Sequence, residues 1–335
     1  MVTDPDATRL GAGGKPFPGS DESPADRTQF RYSVVIPVYN SEGIVAETVE
    51  RVVEVFTEAG LHHEVILVND GSPDRSWEVI SEVARTTPNV VALDLLRNYG
   101  QHHANLVGFR EATGDFVITM DDDLQNPPDQ ALLLIDEAMT GKDVVFGEFA
   151  QKQAAGYRRL GSKMITMMNR KIFGQPQDLA ISNYRILRRD VVDRICHSRT
   201  SYPYITGQAL IYSRNRSNVV VRHEPRRVGS SNYSMLRILK LVLTILFSYS
   251  SFPLRLAAGI GFGLAALSLA LGLFYLLLGA IGATHVQGWT TLVVLLSVFN
   301  AFTFGMLSML GEYVVRTLNT VSAGEGTYVI SRVTK

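Results

Sequence analysis

Apolar and polar positions in the first half of the chain follow two alternating periods. Short runs rich in Val, Ile and Leu predict β-strands, and the segments between them repeat with a helical period. The predicted strands are 33–38, 64–69, 90–95, 115–120 and 143–148. Predicted helices include 44–56, with Ser41 as N-cap, and 127–139, with proline at its start. Strands that are apolar throughout and alternate with helices predict an α/β domain on a mostly parallel sheet buried on both faces.

The pattern changes in the last third of the chain. No Asp, Glu, Lys or Arg occurs between Leu256 and Gly311. A break at 282–288 divides this stretch into two segments, each long enough to cross a bilayer, so a hairpin of two transmembrane helices is predicted. Arg255 precedes the first segment and Arg316 follows the second, while the turn has no cation. The positive-inside rule then predicts that both termini and the α/β domain face the cytoplasm at a cell (inner) membrane.

These patterns divide the chain into five parts. The predicted parts are a disordered tail at 1–31, a catalytic α/β domain at 32–232, an interfacial amphipathic helix at 233–252, two transmembrane helices at 253–312 and a cytoplasmic tail at 313–335. The tail contains a short strand pattern, TYVISRV, which we expect to pair with a neighbouring subunit of a homo-oligomer.

Net charge and cysteine content narrow the function classes. The 32 basic and 32 acidic residues cancel, and the cations are scattered, so the sequence offers no footprint for nucleic acid. The one cysteine, Cys196, excludes an internal disulfide and fits a reducing compartment.

Three consecutive carboxylates directly follow one of the predicted strands. Asp121, Asp122 and Asp123 would repel one another at the edge of a sheet unless a cation or hydrogen bonds were present. Oxygen ligands favour Mg²⁺ or Mn²⁺, and strand alternation makes Asp121 and Asp123 the better pair of ligands. The alternative is a solvated acidic turn that caps the helix after Pro127.

Four segments resemble family 2 glycosyltransferases, and more narrowly the polyprenyl-phosphate branch of that family. They are IPVYN at 36–40, VNDGSPD at 68–74, LRNYGQHHAN at 96–105 and GDFVITMDDDLQNPP at 114–128. The resemblance implies a GT-A fold and a DxDxQ metal motif, here Asp121, Asp123 and Gln125. It also implies that five residues line a nucleotide-sugar pocket: Pro37, Tyr39, Asn40, Asp70 and Asp122.

The resemblance also implies an acceptor site and a sugar site. Arg158 and Ser162, four residues apart on a predicted helix, correspond to the pair that holds a lipid phosphate, and Arg226 is a further phosphate ligand. Asp178 begins DLAISNYR, which stands in the place of the family's D-x-T-S-G-F-R segment beside the sugar. Asn183 replaces the glycine of that pattern. Asp121, Asp123, Asp178 and Arg158 are the predicted catalytic residues. Each assignment has an alternative. Arg158 could belong to a solvated helix face, Asp178 to a surface turn, and Arg226 to a basic loop at the membrane interface.

The implied function is metal-dependent transfer of one hexose, with inversion, from a nucleotide sugar to polyprenyl phosphate. The resemblance favours UDP-glucose as donor, and GDP-mannose is the alternative. His102 and His103 are expected to pack or to hydrogen-bond substrate, since a phosphate acceptor is already ionised and needs no general base. A processive polysaccharide synthase is disfavoured because the only tryptophans, Trp77 and Trp289, do not form its QxxRW segment. A non-catalytic nucleotide-binding membrane scaffold is the rival outside the enzymes.

Overall fold

The computed structural model describes most of the chain beyond the N-terminal tail. The described residues are 17, 24–149, 156–198, 200, 202–224, 235–250, 252–280, 288–322 and 328–335. Most of the predicted tail 1–31, the start of the predicted interfacial helix, and Arg226 lie outside this set. The chain forms two compact units: Met1–Met235 together with Glu325–Lys335, and Leu236–Gly324.

The first unit is built on one eight-stranded sheet. Its strands are β1 Arg31–Val38, β2 His62–Asn69, β3 Val90–Leu95, β4 Phe116–Thr119, β5 Val144–Phe149, β6 Arg185–Arg188, β7 Arg216–Val221 and β8 Ile330–Thr334. The five strands predicted from apolar runs are β1 to β5. Nearly every residue of β1 through β4 is buried, because helices cover both faces of this part of the sheet.

The strands follow the order β7-β5-β6-β4-β1-β2-β3-β8. The centre is parallel: β1 pairs with β2 and β4, and β2 pairs with β3. β6 runs antiparallel to β4 and β5, while β7 is parallel to β5. The carboxyl ends of β1, β2, β3 and β4 therefore lie along one edge of the sheet, where ligands of open α/β sheets bind.

Helices connect the strands of this unit. They are α1 Val45–Glu58, α2 Ser76–Thr86, α3 Gln101–Glu111, α4 Ala131–Ala138, α5 Gly156–Phe173, α6 Arg189–His197 and α7 Ile205–Tyr212, with 3-10 turns at Arg27–Gln29 and Pro128–Gln130. The prediction that Ser41 caps α1 with its side chain is wrong. The Ser41 hydroxyl donates to the Tyr39 carbonyl, and the Ser41 carbonyl instead accepts from the backbone N–H groups of Ile44 and Val45.

The C-terminal strand β8 pairs within the chain. It runs antiparallel to β3, so the pairing with a neighbouring subunit expected for this segment is not the one formed here. Arg332 and Ser331 both donate to the buried Asp94 carboxylate of β3, and Arg332 lies over the Trp77 ring at 4.6 Å. A buried carboxylate with charged and neutral donors holds the two strands together.

The second unit consists of helices α8 Met235–Tyr249, α9 Phe252–Ala280 and α10 Trp289–Ser322. The Tyr313 hydroxyl donates to the Ser250 carbonyl, and a Cβ on Gly261 of α9 would lie 3.5 Å from Phe302 of α10. Within the described residues, one 18-residue window, Val298–Val315, has the length and apolar composition needed to cross a membrane, and none of it is buried.

Helix α3 packs closely on the central strand β1. A Cβ placed on Gly108 would come within 2.3 Å of Cγ1 of Val35, which is fully buried. This close approach sets the position of α3, and therefore of the residues at its N-terminal end.

We expect Gly108→Ala to destabilise the first unit by up to about 2 kcal/mol. The extra methyl group overpacks the interface between α3 and β1, which costs about 1–3 kcal/mol, and the gain in helix propensity offsets about 1 kcal/mol of that cost. Gly43→Ala is the matched control, since a Cβ there meets nothing within 4 Å. Thermal unfolding of both variants measures the difference, and equal midpoints would contradict the packing argument.

Candidate active site

Loops after four neighbouring strands form a continuous polar edge. We call this edge the site rim; it comprises residues 39–40 after β1, 70–72 after β2, 97–100 after β3 and 121–123 after β4. In the sheet register Val38 lies beside Asn69, and Val35 lies beside Thr119. The predicted nucleotide residues Tyr39, Asn40 and Asp70 thus lie next to the acidic run, as expected for parallel strand ends.

Asp70 connects two loops of the site rim. Its Oδ1 accepts from the backbone N–H of Tyr99 at 2.7 Å, and its Oδ2 accepts from that of Gly100 at 2.8 Å. Burial raises the pKa of Asp70 to about 6, although these two hydrogen bonds act in the opposite direction. The carboxylate is therefore a strong acceptor that has lost most of its water.

Gly71 allows these two loops to approach each other. Its φ is +61°, in the left-handed region, and an added Cβ would lie 2.4 Å from the backbone carbon of Arg97. Only glycine meets both conditions without strain. The Asp70 turn and the 97–100 loop consequently form one compact wall, on which the Arg97 guanidinium lies 5.0 Å from the Tyr99 ring centroid.

The side chain of Asp122 contacts the end of β1, whereas those of Asp121 and Asp123 have other partners. Its Oδ2 accepts from the backbone N–H of Tyr39 at 3.3 Å, and its carbonyl accepts from the Thr48 hydroxyl at 2.9 Å. Burial raises the pKa of Asp122 to about 7, hydrogen bonds from Ser41 and Tyr39 oppose this, and the negative charges of Asp121 and Asp123 reinforce it. Asp122 is thus a link between the ends of β1 and β4.

Asp121 and Asp123 each have a hydrogen-bond donor from a different segment. The side-chain amide of Gln101, the first residue of α3, donates to Asp121 Oδ1 at 2.5 Å. The backbone N–H of Gln125 donates to Asp123 Oδ1 at 3.2 Å, and the Gln125 side chain donates to the Glu224 carbonyl at 3.4 Å. The chain at 224 therefore passes close to the acidic run.

Two rim-associated residues adopt the left-handed conformation. Asn40 has φ 57°, and Leu124, which is buried, has φ 56°. Asparagine tolerates this region, whereas leucine does so at a cost of about 1–2 kcal/mol. The sharp turn at Leu124 reverses the chain directly after the third carboxylate.

The predicted acceptor and sugar residues are placed less completely. Arg158 and Ser162 lie four residues apart in α5, but their side chains fall outside the described part of the structure, as does all of Arg226. Asp178 is exposed in the loop between α5 and β6. Among the described contacts of that loop, the side chain that reaches the residues around Asp121 is Asn183, not Asp178.

A buried arginine and a mostly buried histidine lie near the acidic run. Arg185 is fully buried, its Nη1 donates to the Thr206 hydroxyl at 2.8 Å, and burial lowers its pKa to about 10, an effect that the charge of Asp121 opposes. His102 packs edge-on against Tyr204 at 5.2 Å. Burial and then the Arg185 charge lower the pKa of His102 to about 3, which makes it a poor proton acceptor.

Two contributors to this site do not follow from the sequence alone. Gln101 lies in the LRNYGQHHAN segment, but no spacing rule connects it with Asp121, twenty positions away. Asn183 stands out in the sequence only as a departure from a pattern, whereas in the structure its amide donates to Gln101 Oε1 at 3.1 Å. Both residues carry a side-chain amide close to the end of a strand. That feature identifies a partner for Asp121 only when the order of the strands in the sheet is known.

Comparison with known proteins identifies the family of this chain. A family model described as "Glycosyl transferase family 2" matches residues 33–196. The undecaprenyl-phosphate 4-deoxy-4-formamido-L-arabinose transferase of Pectobacterium carotovorum is 38% identical over 299 residues, covering 87% of this chain and 90% of the relative. The enzyme of the same name from Proteus mirabilis is 36% identical over 300 residues, covering 88% and 91%.

Among solved structures, the chain is similar to glucosyl-3-phosphoglycerate synthase from Mycobacterium tuberculosis in complex with Mn²⁺, UDP-glucose and phosphoglyceric acid. That match has a TM-score of 0.48 and 15% identity, covering 70% of this chain and 86% of the other. The mostly parallel sheet, the family match and the extent of the sequence similarity lead to one assignment. The chain belongs to glycosyltransferase family 2, with a GT-A type α/β domain, and to its polyprenyl-phosphate glycosyltransferase branch.

Proposed function

We propose that this enzyme transfers one sugar, with inversion at the anomeric carbon, from a UDP-sugar to a polyprenyl phosphate of the undecaprenyl or decaprenyl type, with Mg²⁺ or Mn²⁺ held by Asp121 and Asp123. The observation that carries the proposal is the position of three carboxylates at the end of β4, beside the rim loops of β1 and β2. A diphosphate bound across those loops would lie next to the carboxylates. The leaving nucleotide and the cation that neutralises it would then meet at one point of the site rim.

The nucleotide end of the donor fits the wall around Asp70. A buried carboxylate that already accepts two backbone N–H groups has remaining lone pairs for a base N–H or a ribose hydroxyl. Tyr39, which is 48% exposed, lies in the rim loop after β1 and offers a ring surface, Asn40 follows it in that loop, and Pro37 lies just before the loop within β1. Asp122 supports this loop through the backbone of Tyr39.

The acidic run suits a hard divalent cation. Within the described residues, no group of three or more His, Cys, Asp or Glu side chains is arranged to hold a metal ion by itself. The proposed site therefore depends on substrate phosphates as further ligands, as is usual for Mg²⁺ bound through one or two carboxylates. Asp121 and Asp123 are the proposed ligands, with Gln125 as a third. When bound, the cation would stabilise the negative charge that develops on the departing nucleoside diphosphate.

The acceptor requires binding and orientation more than proton transfer. A phosphate monoester is largely ionised near neutral pH, so its oxygen is already a nucleophile. We assign its recognition to Arg158 and Ser162 at the start of α5, with Arg226 as a further cation and Asp178 near the sugar. Correct alignment of nucleophile and anomeric carbon then supplies much of the rate enhancement.

The names of the relatives change which sugar donor we propose first for this enzyme. Their names specify transfer of 4-deoxy-4-formamido-L-arabinose, whereas the motif resemblance favoured UDP-glucose. Similarity over nearly the whole chain is the stronger argument, so we place a UDP-activated 4-formamido-arabinose first among donors, followed by UDP-glucose and then GDP-mannose.

Two apolar helices provide the membrane attachment in this proposal. We propose that α9 and α10 span the cell membrane as a hairpin, with the catalytic domain and both termini in the cytoplasm and α8 at the interface. The charge-free stretch from Leu256 to Gly311 supports both spans by sequence. Such an anchor holds the enzyme on the membrane that carries its lipid acceptor and raises the effective concentration of that acceptor.

Removing one carboxylate ligand tests the metal assignment. We expect Asp123→Asn to lower turnover by about a hundredfold or more, because a bound cation supplies several kcal/mol of charge stabilisation. Product formation is measured by mass spectrometry of the glycolipid, with and without chelator. Asp193→Asn, an exposed carboxylate on α6, is the matched control and should behave as wild type. Undiminished synthesis after complete chelation would exclude a metal-dependent reaction.

A donor panel tests the sugar. Purified protein, polyprenyl phosphate and Mn²⁺ are incubated separately with UDP-4-deoxy-4-formamido-L-arabinose, UDP-glucose and GDP-mannose. We expect the first to give the highest kcat/KM. Faster transfer from GDP-mannose would overturn both the sugar and the nucleotide, and polymer instead of a single added sugar would favour a processive synthase. Absence of turnover with every donor, despite nucleotide binding, would favour a scaffold.

Asp70 predicts a pH dependence of donor binding. Its raised pKa means that the carboxyl becomes protonated as the pH falls through about 6, so it loses its capacity to accept a base N–H or ribose hydroxyl as an anion. We expect UDP-sugar affinity, measured by calorimetry with Mn²⁺ present, to fall below that pH. The diphosphate of an intact nucleotide sugar is a diester and has no group that titrates between about pH 5 and 8. Asp70→Asn should bind more weakly and lose the part of the pH dependence centred near pH 6, while any part that comes from Asp122, whose pKa is raised to about 7, should remain. A dependence near pH 6 that is unchanged by the substitution would exclude Asp70 as its source.

A further inference from the structure

Three hydrogen bonds form a closed connection around Asp121. The Asn183 side-chain amide donates to Gln101 Oε1 at 3.1 Å, and Gln101 Nε2 donates to Asp121 Oδ1 at 2.5 Å. The Thr119 hydroxyl, two residues before Asp121, donates to the Asn183 carbonyl at 2.5 Å. The connection therefore runs from β4 to the loop before β6, then to α3, and back to the end of β4.

The partners of Gln101 fix the orientation of its amide group. An ionised carboxylate only accepts hydrogen bonds, so the NH₂ group of Gln101 must face Asp121. Its oxygen must then face a donor, and the Asn183 NH₂ group is that donor. Each hydrogen bond polarises the amide in the direction that strengthens the other.

Both amide residues are anchored by the backbone around them. Gln101 opens α3 immediately after Gly100, whose φ of 93° sets the entry into the helix. Asn183 lies two residues before Arg185, which pairs with Thr119 in the ladder between β4 and β6. The carboxylate plane of Asp121 is thus held from α3 and from β6 together.

We infer that Gln101 and Asn183 are positioning residues that orient the Asp121 carboxylate for the divalent cation. A donor bound to Oδ1 fixes the carboxylate before the cation arrives, which lowers the cost of organising the site. The inference rests on the proposed metal site.

Metal affinity tests this role independently of turnover. Mn²⁺ binding to the full-length protein in detergent, with UDP present, is measured from the free-ion signal in electron paramagnetic resonance. We expect Asn183→Asp to raise the Mn²⁺ dissociation constant about tenfold, because a carboxylate cannot donate to Gln101 and favours the reversed amide, whose oxygen would face Asp121. Asn183→Gly, which removes the donor without adding charge, should weaken binding in the same direction. The turnover rate at saturating Mn²⁺ should change much less than the Mn²⁺ concentration required for half activation.

Asn89→Asp is the matched control for the added charge. Asn89 is exposed, has φ 61° like a turn residue, and immediately precedes β3 at the edge of the sheet opposite the site rim. Its Mn²⁺ dissociation constant should stay within about twofold of wild type, since an exposed charge that far away is screened.

A double substitution separates a relay from two independent effects. If Asn183 acts through Gln101, Gln101→Ala combined with Asn183→Ala should weaken Mn²⁺ binding no more than Gln101→Ala alone. The inference would be overturned if the two substitutions multiplied their separate effects on the Mn²⁺ dissociation constant. It would also be overturned if Asn183→Asp and Asn183→Gly both bound Mn²⁺ as tightly as the wild type. If the wild-type protein itself binds no Mn²⁺ with UDP, the proposed metal site fails, and that result is distinguishable from a failure of the relay alone.

Discussion

The mutual repulsion of three adjacent carboxylates is the constraint around which the rest of the site is organised. Each carboxylate meets it differently. Asp122 faces Tyr39 and Ser41, and burial together with its charged neighbours raises its pKa to about 7. Asp121 and Asp123 instead accept donors from Gln101 and from the backbone of Gln125. The run is therefore divided into one residue that links β1 to β4 and two carboxylates that accept donors from other segments, the pair that we propose as cation ligands.

Backbone strain is concentrated at the same place. In the described part of the chain, three residues other than glycine have positive φ, and two of them, Asn40 and Leu124, adjoin the ends of β1 and β4. The buried central strands hold these turns in place, because β1 and β4 contribute an almost continuous run of buried side chains. Strained turns on a rigid sheet are typical of functional sites. Here the strain at Leu124 allows the chain to leave the acidic run sharply, so that Gln125 reaches both Asp123 and Glu224.

The parts of the fold that were predictable are those in which hydrophobicity and structure agree. Strands β1 to β5 are apolar and buried, so their positions follow from the sequence. β6 reads Arg-Ile-Leu-Arg, and both arginines are nonetheless buried by partners distant in sequence, Thr206 and Asp143. No local pattern reveals such a strand. The same limit applies to the site: the carboxylates stand out in the sequence, whereas Gln101 and Asn183 acquire a role only when β4, β6 and α3 come together.

The stability cost of Asp70 supports a functional interpretation of its position. A pKa raised from 3.8 to about 6 means that ionisation is less favourable in the folded protein than in the unfolded chain. The contribution of Asp70 to the free energy of unfolding is therefore most favourable below about pH 4, where the carboxyl is protonated in both states, and it is lost as the pH rises through about 6. At neutral pH this loss is on the order of 3 kcal/mol. Two backbone donors, from Tyr99 and Gly100, only partly offset this cost. An apolar residue at this position would leave the backbone N–H groups of Tyr99 and Gly100 without an acceptor, so Asp70 has a structural role in joining the rim loops. Its remaining lone pairs on the site rim are those that we propose for a ligand that donates hydrogen bonds.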